Sequence, residues 1–139
     1  MTGVSAETLL SLPVRSRGID LGHPVDVVLD RDGRRAIGLV VLCKDEAQRF
    51  LPLSVAEVRD REIVVASPLV LLDEEELDFY LRHASTMRGL RGTTVRSAGQ
   101  EVGRLEDVLV LRDGIVSELV VANGRGRERL RIDDTVTIS

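Results

Sequence analysis

Arg125, Arg127, Arg129 and Arg131 recur at every second position late in the chain. On a β-strand successive side chains point to opposite faces. The spacing therefore predicts four guanidinium groups on one face, with Leu130 and Ile132 on the other. A guanidinium presents planar donors that match carboxylates and phosphates, so such a stripe suits an acidic protein surface, RNA or an anionic lipid surface. The plainer explanation is a solvated face in an arginine-rich protein, since Lys44 is the sole lysine. Asp26 and Asp107 are the most specific acidic positions. Each stands at a strand start after a glycine turn, where a carboxylate is expected to accept backbone N–H groups from that turn.

Other residues able to do chemistry are few. His23 and His83 are the only histidines and Cys43 the only cysteine, and none has a partner at ligand spacing. A zinc site takes about four ligands, so no metal site and no cofactor are expected. Cys43 reads as a small core hydrophobe. No G-x-S-x-G occurs, and neither Gly22 nor Gly103 opens a phosphate loop, because no Lys-Ser/Thr follows. The acidic run Asp73 to Glu76 reads as a helix start, with Asp73 as N-cap and Glu76 completing a capping box. No catalytic residue emerges, and the sequence points away from an enzyme.

The elements that position these residues are given by a repeat. Val14 to Gly33 aligns with Val95 to Gly114 at a spacing of 81, with ten of twenty residues identical. Among them are Gly18/Gly99, Gly22/Gly103, Asp26/Asp107 and Gly33/Gly114. Such self-similarity marks a tandem duplication. Asp32-Gly33 and Asp113-Gly114 lie between aliphatic runs and predict hairpins. After them the spacing drops to 80, so the first hairpin carries one extra residue. Met1 to Thr8 reads as a frayed polar lead and Leu9 to Arg15 as β-compatible. Leu77, Tyr80, Leu81 and Ala84 make an apolar helical stripe, with a stop expected at Gly89. The predicted organisation is a first repeat over 9–70, a linker helix over 71–89, and a second, shorter repeat over 90–139.

Composition narrows the function. Hydrophobic residues make up 43% of the 139-residue chain but aromatics only 2%, so the core must be aliphatic and stacking platforms for bases or sugars are disfavoured. A net charge of −4 argues against general nucleic-acid binding. One cysteine excludes an intramolecular disulfide and fits a reducing, cytoplasmic compartment. The opening MTGVSAETLL lacks a signal-peptide pattern, and no apolar run approaches the roughly 20 residues of a membrane span.

The pattern Gly18-x3-Gly22-x3-Asp26-Val27, repeated as Gly99-x3-Gly103-x3-Asp107-Val108, resembles the PRC-barrel family. In the first half a late Leu51-Pro52-Leu53 segment adds to the likeness. The resemblance implies a mainly β chain of two small antiparallel PRC-barrel-like β-barrels joined by one amphipathic helix. It further implies a prokaryotic protein-interaction module, often self-associating, without shared catalytic residues. The second half lacks about seven residues that correspond to the Leu-Pro segment. The expected function is a non-catalytic adaptor or scaffold that binds another protein, with homo-oligomerisation and peripheral membrane association open. The rival is a ribosome- or RNA-associated factor using the Arg125 to Arg131 stripe. A small-molecule or metal sensor is a third class, recognisable by a large thermal shift with one ligand.

Overall fold

A computed structural model of the chain describes residues 3–139. The first half runs through β1 (Val4–Ser5), α1 (Ala6–Ser11), β2 (Val14–Ser16), β3 (Ile19–Leu29), β4 (Ala36–Cys43) and β5 (Gln48–Pro52). A 3-10 turn (Leu53–Val55), β6 (Ala56–Val58) and β7 (Ile63–Val65) complete it. A second 3-10 turn (Pro68–Val70) leads to α2 (Glu74–His83). The second half runs through β8 (Ser85–Thr86), α3 (Met87–Leu90), β9 (Thr94–Ser97), β10 (Gln100–Val110), β11 (Val116–Asn123), β12 (Gly126–Arg131) and β13 (Val136–Ile138).

The chain is mainly β, with two sheets that are antiparallel but for one strand pair, one of them curved as a half-barrel. The first sheet has the order β5-β4-β3-β2-β7-β6, with β8 added to β3. The second has the order β12-β11-β10-β9-β13, with β1 added to β10. The repeat therefore appears as matched strands. Arg17-Gly18 and Ala98-Gly99 make equivalent two-residue hairpin turns, with φ of +52° and +80° in one and +51° and +82° in the other. Positive φ at both residues is what such tight turns require. Gly22 and Gly103 lie where the long strands pass closest to their neighbours. A Cβ there would stand 2.2 Å from the Leu42 carbonyl oxygen or 2.4 Å from that of Ala122.

The halves part after β5 and β12. Only four residues connect β12 to β13, and β13 runs antiparallel to β9. The longer excursion of the first half, through β6, lets β7 run parallel to β2. Parallel pairing needs a longer connection, so the shortened second half takes the antiparallel solution. The extra residue of the first hairpin lengthens its loop: Leu29 pairs with Ala36, against Val110 with Val116.

Three expectations are corrected. The polar lead is not frayed over its described part: Val4 and Ser5 form β1 opposite Val110 and Leu109. The remainder, Met1 and Thr2, lies outside the described residues. Leu9 to Arg15 does not begin as a strand. The Ser5 side chain caps the N–H of Thr8, and Ala6 and Leu9 are buried at helical spacing, so α1 continues to Ser11. The linker helix does not reach Gly89. It stops at His83 because Ser85 and Thr86 pair with Leu29 and Val28. Thr86 then caps the short α3 by accepting the Gly89 N–H at 3.0 Å.

Val4-Ser5 and Ser85-Thr86 are counterparts at the repeat spacing of 81. Each of these leading segments pairs with the long strand of the other half. The hairpin loops also meet. Arg35 bridges Ile115, its own counterpart, with Ala36 N–H donating to Gly114 O (2.7 Å) and Val116 N–H to Arg34 O (2.9 Å). This bond pair maps onto itself when the halves are exchanged, which defines an internal two-fold axis. One core runs across it: Val27, Leu39 and Val41 of the first sheet belong with Leu105, Val108 and Leu119 of the second. By the apolar area buried, this shared interior is the main stabilising feature of the fold.

Candidate interaction surface

The acidic pair acts across the two-fold axis. Asp107, buried, accepts from the backbone N–H groups of Ala6 (3.0 Å), Glu7 (3.4 Å) and Val108 (2.8 Å). Asp26, half-buried, accepts from Arg88 (3.1 Å) and Val27 (2.9 Å). Each carboxylate thus meets the first turn of the other half's leading helix, where free N–H groups and the helix dipole favour an anion. Backbone donors were the expected partners, but beyond the N–H of the next residue they come from the opposite half and not from the glycine turn. Gly18, Gly22, Gly99 and Gly103 shape the strands as described, and Gly33 and Gly114 lie in the two hairpin loops.

Two outer sheet faces remain, at matched places. In the first half Val28, Val40 and Phe50 form a second apolar cluster that α2 covers with Leu77 and Tyr80. Phe50 and Tyr80 stack with ring centroids 4.0 Å apart. The expected stripe holds for Leu77, Tyr80 and Ala84, while Leu81 turns to solvent at 39% exposure. Asp73 caps α2 by accepting the N–H groups of Glu75 (3.1 Å) and Glu76 (3.4 Å). The neighbouring Asp73 and Glu76 carboxyl groups act on each other, so Asp73, with its backbone donors, is held below its ordinary pKa and Glu76 is pushed above its own.

The second half presents charge on the corresponding face. Val40 pairs with Phe50, and its counterpart Val120 pairs with Arg129. Arg129 therefore stands in the place of Phe50. Glu106 replaces Val25 and Ser117 replaces Ile37 at the repeat spacings. Arg127 forms an ion pair with Glu106, and Arg129 lies 3.9 Å from Glu118. Among the described residues Arg131 has no ion-pair partner.

The arginine stripe is thus three residues long. Arg127, Arg129 and Arg131 lie on β12, but Arg125 sits in the turn before it, its N–H bonded to Asn123 Oδ1 at 2.8 Å. Asn123 pairs with Gly126, so Gly124-Arg125 is the two-residue loop, and Asn123 with Gly124 marks the turn in the sequence. Beside it, an open cleft of about 1000 Å³ is lined by Arg91, Arg104 and Arg127 and equally by Glu7, Glu101 and Glu106. The Arg91 and Arg104 guanidinium groups donate to the carbonyls of Glu106 (3.2 Å) and Gly92 (3.0 Å). Its balanced charge gives no selectivity for an anion or a cation.

The two sheet edges differ too. Phe50 exchanges backbone hydrogen bonds with Leu72, at 2.9 and 2.8 Å, so the edge of β5 is covered. β12 ends its sheet, and its outer side has no backbone partner among the described residues. Ile132 N–H donates inward to Ser117 O. Antiparallel bonding alternates, so Gly126, Glu128 and Leu130 turn their backbone groups to β11. Arg127, Arg129 and Arg131 turn theirs outward.

Among the described residues no three His, Cys, Asp or Glu side chains gather as metal ligands, and Cys43 is buried and free. No described helix is long and apolar enough to cross a membrane. No protein-family model matches the chain, and no curated protein matches it in sequence.

Proposed function

We propose that this chain is a non-catalytic protein-interaction module, an adaptor or scaffold of the prokaryotic cytoplasm. The observation that supports it best is the contrast between the covered edge at Phe50 and the open, charged edge at Arg129. A strand edge left free is a template for another chain. We read each half as a PRC-barrel-like unit, opened so that the two share one interior, a reading that rests on the repeated Gly-x3-Gly-x3-Asp-Val motif. The single cysteine fits a reducing compartment. RNA binding is the weaker reading, because Glu106 and Glu118 sit against two of the three stripe arginines and the net charge is −4.

The test is affinity capture from lysate at low salt and at about 0.5 M salt, where exposed ion pairs are largely screened. A defined set of proteins retained at both salts, and lost with the Arg127→Glu/Arg129→Glu variant, is the expected result. Recovery of RNA or ribosomal proteins only at low salt would move the assignment to a ribosome-associated factor. Recovery of the bait alone would overturn the adaptor reading.

A further inference from the structure

We propose that β12 takes up an extended, acidic segment of a partner protein as an added antiparallel strand. The proposal rests on the adaptor reading and names the surface and the chemistry of the partner. The molecule contains its own template. At the matched edge of the first half, the chain around Leu72 lies antiparallel to β5 and makes both backbone bonds to Phe50. Arg129 stands in that position in the second half with its N–H and C=O directed outward. Arg127 and Arg131 repeat the arrangement on either side, so three residues offer a ladder of donors and acceptors to an incoming strand.

Charge selects the occupant. The three arginine side chains share one face, so carboxylates at alternate positions of the added strand would lie opposite them as cross-strand pairs. Each guanidinium carries five N–H donors, so Arg127 and Arg129 can accept a second carboxylate while keeping Glu106 and Glu118. A second copy of this chain is a poor occupant. Two-fold pairing of β12 with itself sets odd-numbered residues opposite odd-numbered ones, which places arginine against arginine. The edge is thereby protected from self-pairing and open to an acidic strand.

The test uses the full chain and a synthetic peptide of about eight residues alternating Glu and Val, long enough for one strand. Backbone amide exchange is followed residue by residue. The expected result is slowed exchange at Arg127, Arg129 and Arg131, with Glu128 and Leu130 unchanged because they already bond to β11. The Lys-for-Glu peptide should bind at least about tenfold more weakly, from three exposed cross-strand pairs. A peptide N-methylated at alternate amides should not bind. The Arg127→Glu/Arg129→Glu/Arg131→Glu variant should reverse the preference towards the Lys peptide. If that variant fails to fold, Arg129→Pro serves instead, since it removes an outward donor without taking a bond from β11. Equal binding of the two charged peptides, or retained binding of the N-methylated one, would overturn the proposal. So would an absence of protection on β12. A lysate partner that protects amides elsewhere would then leave the adaptor reading standing without this edge, whereas protection by a short RNA in place of the peptide would overturn both.

Discussion

Phe50 and Arg129 occupy equivalent places on two copies of one sheet, and their surroundings have diverged in opposite directions. Around Phe50 the outer face is aliphatic, the edge is bonded to Leu72, and α2 lies over both. Around Arg129 the face carries Glu106, Glu118 and the stripe arginines, and the edge is free. The inner faces have not diverged in this way, because both line the shared core. Duplication thus left the interior under a common constraint and released the exteriors to become a covered side and an open one.

The largest expected effect sets these two positions against each other. Phe50→Ala should cost about 3–5 kcal/mol, through lost burial and the cavity beneath Tyr80. Arg129→Ala should change stability by less than about 0.5 kcal/mol. Urea unfolding of both variants checks this, and equal losses would break the contrast. The acidic pair sharpens it next. Asp107→Ala should cost about 1–3 kcal/mol, since three N–H groups lose their acceptor in a buried site. Asp26→Ala should cost less, with two donors in a wetter one, and the same unfolding curves rank them.

A smaller effect belongs to the open face. A double-mutant cycle on Arg127 and Glu106 should give a coupling of about 0.2–1 kcal/mol, falling as salt is added. The smallest concerns the hairpins that lead into β5 and β12. Arg49 grips Asp45 through two hydrogen bonds of 2.9 and 2.8 Å and draws its pKa from 3.8 to about 2. Because the folded value is depressed, any stabilisation is present above the unfolded value and is lost as pH falls through about 2. Carboxyl NMR should place the midpoint there, and Asp45→Asn should flatten stability over that acidic window. The matching turn, Gly124-Arg125, has no carboxylate to titrate.

Much of this architecture is legible in the residues, because glycine turns and aliphatic alternation are local signals. Gly18/Gly99, Gly22/Gly103 and the Asp-Gly hairpins announce the matched strands, and Asp73 announces the start of α2. What is not legible depends on distant partners. Val4-Ser5 and Ser85-Thr86 share no residue, and each becomes a strand only against Leu109-Val110 or Val28-Leu29. For the same reason the end of α2 is hidden: nothing at Ala84 breaks a helix, and the stop is imposed by pairing with β3. The roles of Asp26 and Asp107 are half visible, since each takes one donor from the next residue but the remaining donors belong to the other half. Of the arginine stripe, alternation reveals three members, and the Gly124-Arg125 turn excludes the fourth.

The crossing of the leading segments also bears on how the chain comes to be folded. Val4 finds its place only beside Val110, and the first two N–H groups of α1, of Ala6 and Glu7, find their acceptor in Asp107. On a ribosome the earliest of these residues must wait until the later ones have emerged, so the first half cannot finish alone. Contacts this remote in sequence slow folding, because the intervening chain must be closed before they stabilise anything. The chain should therefore fold after synthesis and in one step, and β1, made first, should be among the last strands to dock.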